Sequence, residues 1–286
     1  MASIDSSFLA QLTIGREFYA PAVERAVASL NLAAGARVLD AGTGGGGAIP
    51  PLARAVGATG SVLAVDRDPT LAALASDYAK EAENADRVTV QVGDIIKVLA
   101  DASTAPENSF DAIWAADVVY PVYFAEPADV IRQMAQALRP GGIIALFYPK
   151  HNYATFLPGY PLLEHGLLTA SEISWGAPVD GPRHRERHLS WLLDADLEDV
   201  SLKVFPQAYF PVGTNSTARQ FLELGVWPIL RENAVNFGAE AGLSTEDVDK
   251  VQRLLTPGDP HYVLDEPGYF IVLPATLSTG KRPENS

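Results

Sequence analysis

Cysteine is absent from all 286 residues, which excludes disulfides, thiolate zinc or iron–sulfur ligation and a thiol nucleophile. Any chemistry must come from oxygen, nitrogen or a bound cofactor. Positive charge is scarce too: 21 Lys and Arg stand against 35 Asp and Glu, a formal net charge of −14. A surface of that sign repels a phosphate backbone, so nucleic acid is not expected as a partner. Long hydrophobic runs are also missing. The longest, such as Ile143-Ile-Ala-Leu-Phe-Tyr148, fall short of the ~20 residues a membrane helix needs. The polar start Met1-Ala-Ser-Ile-Asp-Ser-Ser7 lacks the basic-then-apolar order of a targeting segment. The expectation is a cytoplasmic protein with no membrane partner.

What is present is a chain of 48% hydrophobic residues, long enough for one large α/β domain with an insertion. Strands are expected at residues 37–40 and 62–66 around a short helix at 48–56, the order a parallel sheet with right-handed crossovers requires. Asp68-Pro69 caps a second helix with Leu71, Leu74, Ala75 and Tyr78 on one face. Strands follow at 88–92 and, after a polar loop at 101–109, at 110–115. A helix from about 127 to 138 is stopped by Pro140-Gly-Gly142, and residues 142–148 form an almost wholly apolar strand. The second half is less regular. A Pro- and Gly-rich connection at 150–182 holds a helix at 162–169, then come a helix near 184–195 and a strand at 200–210. Residues 216–255 read as helical, interrupted at Pro228, with a helix start at Ser244-Thr-Glu-Asp247. The last strand is placed at 268–273, and the tail at 281–286 is expected to be mobile.

The most informative segment is Val38-Leu-Asp-Ala-Gly-Thr-Gly-Gly-Gly-Gly47, where five of the chain's 23 glycines crowd into six positions between a strand and a helix. Glycine lets a ligand lie against main-chain N–H groups. Read as Gly42-x-Gly44-x-x-Gly47, the loop matches a dinucleotide fingerprint; read from Asp40, it has an acid before the first glycine. Dinucleotide loops hold a pyrophosphate, and a carboxylate there adds repulsion, whereas it suits a ligand with a positive charge.

These residues resemble the class I S-adenosylmethionine-dependent methyltransferases. The resemblance rests on Asp40-Ala-Gly-Thr-Gly-Gly-Gly46, Asp66 closing the second strand, Gly93-Asp94-Ile95, Phe110-Asp111 and Leu138-Arg-Pro-Gly-Gly142, in order across residues 37–148. It implies a Rossmann-like, seven-stranded, mostly parallel α/β sheet with helices on both faces, a reversed final hairpin and a helical insertion between the last two strands. It also implies S-adenosylmethionine as cofactor and methyl transfer as the reaction. On this resemblance Gly42, Thr43 and Gly44 line the methionine part of the cofactor, with Asp40 near its ammonium. Asp66 takes the ribose hydroxyls, Arg67 covers one adenine face, and Asp94 and the Ile95 backbone read the adenine edge. Ala116 and Asp117 reach toward the methionine or sulfonium, and Tyr19, on an N-terminal helix that folds over the cofactor, is a further contact. The corresponding division is a lid segment at 1–30, a cofactor domain at 31–210 and 266–280, and a helical substrate cap at 211–265.

Of 25 aromatic residues, 19 lie beyond residue 117, so a small organic acceptor is expected to be enclosed by the second half. Candidate lining residues are Tyr120, Tyr123, Tyr148, Trp175, Tyr209 and Trp227. In-line methyl transfer needs a base only when the acceptor must lose a proton early, and His151, following the fifth strand, is the candidate. His184 and His188 stand four apart, yet Arg185-Glu-Arg187 lies between them and no third ligand is near, so a solvated helix face and no metal are expected. Asp117-Val-Val-Tyr120 lacks both prolines of the Asn/Asp-Pro-Pro-Tyr motif carried by methyltransferases of nucleobases and glutamine amides. Two rival functions share the same glycine loop: an NAD(P)-dependent oxidoreductase, and a non-catalytic S-adenosylmethionine-binding regulator or scaffold.

Overall fold

A computed structural model of the chain describes residues 6–105, 107, 109–176, 178, 180–213 and 216–284, with side chains from residue 9 onward. The polar start at residues 1–5, and parts of the loop at 101–109, of the connection at 150–182 and of the tail at 281–286, lie outside the described residues. The apolar runs become seven strands: β1 (Arg37–Ala41), β2 (Ser61–Asp66), β3 (Val88–Val92), β4 (Phe110–Ala116), β5 (Leu138–Pro149), β6 (Glu198–Tyr209) and β7 (Ile271–Lys281). They form one sheet in the order β3-β2-β1-β4-β5-β7-β6. The pairs β3–β2, β2–β1, β1–β4 and β4–β5 are parallel, with Asp40 aligned to Ala64 on one side and Trp114 on the other. β7 runs against its neighbours. The Gly141 N–H donates to the Arg282 carbonyl and the Lys150 N–H to the Pro274 carbonyl, while Ser201 meets Thr279 across β6 and β7.

The crossovers are α2 (Ile49–Val56), α3 (Pro69–Ala79), α4 (Ile95–Thr104) and α5 (Pro127–Ala137). Asp68 starts α3 by accepting from the Thr70 and Leu71 N–H groups, and Asp94 starts α4 by accepting from Ile96. Because helices cover both faces of the inner strands, β1 and β4 are buried almost end to end. Chain order reverses between β1 and β4, and in open α/β sheets ligands bind outside the C-terminal strand ends at such a switch point. At the free edge, β6 exposes Lys203 and Pro206, residues that discourage pairing with another strand.

The chain divides into two compact units. One comprises residues 20–148, 180–205 and 275–286. Its core, with Leu39, Phe110, Ile113, Ile131, Met134, Leu146 and Tyr148, joins the sheet to α5 and α7 (His188–Leu193). The other comprises residues 1–19, 149–179 and 206–274. It packs α6 (Pro161–Ser174), α9 (Trp227–Phe237) and α10 (Thr245–Leu254) around Leu167, Leu222, Trp227, Val251 and Ile271. Residues 6–28 form one helix, α1 (Ser6–Ala28), with Pro21 inside it. None of the described helices is long and apolar enough to cross a membrane.

Several elements depart from the sequence expectation. The last strand begins at Ile271, not Gly268, and continues past Pro274 to Lys281. Pro274 ends the apolar run in sequence but still offers its carbonyl to Lys150, and beyond it Thr276 and Thr279 are buried with partners, Thr276 donating to the Tyr148 carbonyl and Thr279 meeting Ser201. The tail is tied at Arg282, whose guanidinium donates to the Gln136 and Leu138 carbonyls. β5 starts at Leu138 and includes the Pro-Gly-Gly turn. The helix expected near 184–195 is confined to α7, behind a tight turn at Arg185–Arg187. Residues 217–237 run as α8 (Thr217–Gln220), a wide π segment (Phe221–Val226) and α9. Pro228, in the first turn of α9, cannot supply the N–H of a regular helix, and the π segment before it absorbs the mismatch.

Asp111 ties three strands together at their N-terminal ends. It accepts from the Arg37 N–H at 2.7 Å and from the Arg139 guanidinium at 2.8 and 2.9 Å. Asp111→Ala is expected to lower unfolding stability by about 1–2 kcal/mol in urea titration, through a lost charge-assisted bond and an unpaired N–H; a change below 0.3 kcal/mol, roughly the noise for independent surface sites, would contradict this role.

Candidate active site

The glycine loop leaves β1 and turns toward β2. The Gly42 and Thr43 N–H groups both donate to the Val65 carbonyl, the Gly44 N–H donates to Asp66 Oδ2 at 2.9 Å, and the Gly46 N–H returns to the Thr43 carbonyl. Gly42 has φ +70°, and a Cβ there would come within 2.5 Å of the Val118 side chain. Gly44 has φ +53°, and a Cβ on it would point into open space, where a ligand can lie against the loop.

Two carboxylates frame this loop. Asp40, at 2% exposure, accepts from the Thr43 hydroxyl at 2.6 Å. Burial pushes its carboxyl up to about 7; the Thr43 hydrogen bond opposes the rise and the nearby Asp66 adds to it. Asp66, also buried, accepts from Gly44 on one oxygen and from the Asp68 N–H at 2.9 Å on the other. Each of its oxygens keeps a lone pair for a further donor. An anion would meet two carboxylates here and N–H groups already committed to the protein. The following helix gives it little help, since Pro50 and Pro51 remove two N–H groups from the first turn of α2. The sequence carries that signal in plain view, and it separates this loop from a pyrophosphate cradle more sharply than the glycine spacing does.

Beside the loop, Arg67 lies over the Tyr123 ring at 5.4 Å. Asp94 is exposed and spends one oxygen on the Ile96 N–H, while Ile95 is buried. Ala116 ends β4, and Asp117 follows in the left-handed region at φ +54°, its N–H bonded to the Phe147 carbonyl. The Tyr120 hydroxyl donates to Asp117 Oδ1 at 2.6 Å, and that of buried Tyr148 to the Val119 carbonyl. Burial, reinforced by Asp117, pushes both phenols upward, so neither serves as a base at neutral pH. Sequence reading did not single out Val118, which seals Gly42, or Arg185, whose guanidinium lies 5.6 Å from the Tyr120 ring. No local pattern marks either, because their partners are remote in sequence. His188 is buried beside Tyr148 with Nδ1 2.7 Å from the Arg185 carbonyl, not on a solvated helix face as expected. The β5 ring it packs against, 40 residues away, is what draws it in.

In the helical unit, Tyr19 Oη and His151 Nε2 are 2.8 Å apart, with the Phe221 ring beside both. Tyr209 packs on Phe18. Trp227 is wholly buried against Phe156, and Trp175 is 57% exposed at the end of α6. Among the described residues no group of three His, Asp or Glu side chains could hold a metal ion.

With that geometry in place, comparison with known proteins gives a consistent result. Residues 38–142 match the model of a methyltransferase domain family. That segment is thus similar to a methyltransferase domain, in keeping with the resemblance its motifs carry. The chain is 36% identical over 119 residues to the methyltransferase GfsG of Streptomyces halstedii, covering 41% of this chain and 39% of that one. It is 32% identical over 123 residues to the 27-O-demethylrifamycin SV methyltransferase of Amycolatopsis mediterranei, covering 43% and 42%. It is 29% identical over 187 residues to the aklanonic acid methyltransferase DauC of a Streptomyces species, covering 60% and 81%. The chain thus spans about two fifths of the length of the first two relatives. The match begins in β1 and ends in the Pro-Gly-Gly turn of β5, so it takes in Asp40, Asp66, Asp94 and Asp117.

The elevated Asp40 carboxyl has a consequence for stability. Its folded-state value lies above its unfolded value of 3.8, so between pH 4 and 7 the native state holds a proton that the unfolded state has lost. Stability from this group is present below pH 4 and drains away as pH rises through 7. Urea unfolding at pH 5 and pH 8 is expected to show wild type losing on the order of 3 kcal/mol more than Asp40→Asn; parallel losses would contradict the buried, protonated carboxyl.

Proposed function

We propose that this protein is an S-adenosylmethionine-dependent methyltransferase that methylates a small organic molecule. The observation that carries the reading is the glycine loop with its N–H groups spent internally and two buried carboxylates, Asp40 and Asp66, at its sides. Such a site favours hydroxyls and an ammonium over a pyrophosphate. Asp66 would accept the ribose hydroxyls through its remaining lone pairs, and Asp40 would ionise opposite the ammonium. Gly42, Thr43 and Gly44 would line the methionine portion, Arg67, Asp94 and Ile95 the adenine, and Ala116 and Asp117 the region nearest the sulfonium. Tyr19 completes the proposed cofactor set.

When bound, the cofactor supplies an electrophilic methyl group on a sulfonium. The protein's task is then to align the acceptor and exclude water. Support for a small acceptor comes from the −14 charge, from the aromatic weight of the second half, and from two relatives named for 27-O-demethylrifamycin SV and aklanonic acid. Apart from Tyr19, the proposed cofactor residues belong to the sheet-based unit, and we assign acceptor contacts to Tyr120, Tyr148 and Tyr209. Trp227 and Trp175 are weaker candidates, since one is sealed in a core and the other open to solvent. Where the acceptor must shed a proton, His151, hydrogen-bonded to Tyr19, is the proposed base.

Asp66→Ala is expected to weaken S-adenosylhomocysteine binding by about 30-fold or more in calorimetry, as two hydroxyls lose a charged acceptor. Unchanged affinity would sink the ribose assignment. In a thermal melt, S-adenosylhomocysteine should raise Tm and NAD(P) should not; the opposite pattern would make the protein a nicotinamide enzyme.

A further inference from the structure

Arg67 follows Asp66 at the end of β2, and what its guanidinium rests on is a ring and not a carboxylate. Its central carbon lies 5.4 Å from the centroid of Tyr123, within the range of a cation–π contact. The neighbouring Asp66 oxygens are turned instead to the Gly44 and Asp68 N–H groups. Tyr123 comes from the loop between β4 and α5, and the backbone fixes it there. Its N–H and that of Phe124 both donate to the Tyr120 carbonyl, and the Tyr120 and Tyr123 rings meet edge to face at 6.3 Å. Tyr120 is held in turn by Asp117, whose N–H is bonded to the Phe147 carbonyl of β5. A chain of contacts therefore runs from the sheet to the Tyr123 ring and ends on Arg67. Val118 of the same loop closes on Gly42, so one short segment touches the cofactor cradle at two places. Burial and the charges of Asp117 and Asp66 push the Tyr123 phenol upward, with Arg67 opposing, and the ring stays neutral.

An exposed arginine must freeze several rotatable bonds when it covers a ligand, and that ordering cost is subtracted from affinity. A ring that already holds the guanidinium removes part of the cost in advance. We propose that Tyr123 is a positioning residue for cofactor binding: its aromatic face holds Arg67 at the end of β2, in place to cover a purine before the ligand arrives. This rests on the cofactor reading above and deepens it. It also moves Tyr123 away from the acceptor-lining role expected from the sequence.

The test uses the full chain and two probes, S-adenosylhomocysteine and adenosine, with calorimetry on wild type, Tyr123→Phe, Tyr123→Leu, Arg67→Ala and the Arg67→Ala/Tyr123→Leu pair. At 41% exposure the position tolerates leucine, and circular dichroism melts verify folding. Tyr123→Leu should weaken both probes by about 5-fold, and Tyr123→Phe, which keeps the aromatic face, should stay within about 2-fold of wild type. In the Arg67→Ala background, Tyr123→Leu should add nothing further. Unchanged affinity in Tyr123→Leu, a phenylalanine variant as weak as the leucine one, or independent effects in the pair would each overturn the proposal while leaving wild-type S-adenosylhomocysteine binding intact. Failure of wild type to bind S-adenosylhomocysteine would overturn the cofactor reading as well.

Discussion

Two carboxylates buried at the same edge of adjacent strands cannot both carry full charge without a partner, and the site is organised around that constraint. Asp40 and Asp66 close adjacent parallel strands, so the sheet delivers them to the same edge. Asp66 accepts from two backbone N–H groups, one of them that of Gly44. Asp40 has only the Thr43 hydroxyl, and it answers by holding its proton up to about pH 7. The left-handed glycines follow from this arrangement. The backbone must double back sharply to point the Gly44 N–H at Asp66 while it keeps room for Val118 over Gly42.

The same constraint defines the ligand. A site with the Asp66 carboxylate, a raised Asp40 carboxyl and no uncommitted glycine-loop N–H among those at Gly42, Thr43, Gly44 and Gly46 is the observation on which we propose a ligand carrying hydroxyls and an ammonium. On the proposed function, a protein without cysteine borrows its reactive sulfur from the cofactor, and its own residues supply position, charge and dryness. On the proposed cofactor reading, the loop after β4 extends this logic from the methionine side to the purine side. Asp117, Tyr120 and Tyr123 form a run of contacts in which each group fixes the next.

The sheet was legible in the sequence because each strand of its parallel half is a short apolar run followed by a residue with a local task, such as Asp68 or Asp94 capping the next helix. Local rules failed where a distant partner decides. His188 looks solvated beside Arg187 until β5 brings Tyr148 against it. β7 looks finished at Pro274 until β5 accepts it as an antiparallel neighbour and the Thr276 and Thr279 hydroxyls find partners. Aromatic residues were the least legible, since a ring in a core and a ring in a pocket have the same letter. Trp227 and Trp175 lie at opposite extremes of exposure although sequence placed them in one group.

The most direct test of the account is proton linkage in cofactor binding. S-Adenosylmethionine binding measured by calorimetry at pH 5.5 and 7.5, in two buffers of different ionisation heat, reports both affinity and protons exchanged. If Asp40 ionises to meet the ammonium, affinity should rise by about 10-fold between these pH values, and close to one proton should be released at the lower pH, with both effects lost in Asp40→Asn. Affinity that is flat or falls over this range, with no proton released, would contradict the claim that a buried, protonated Asp40 waits for a cationic ligand.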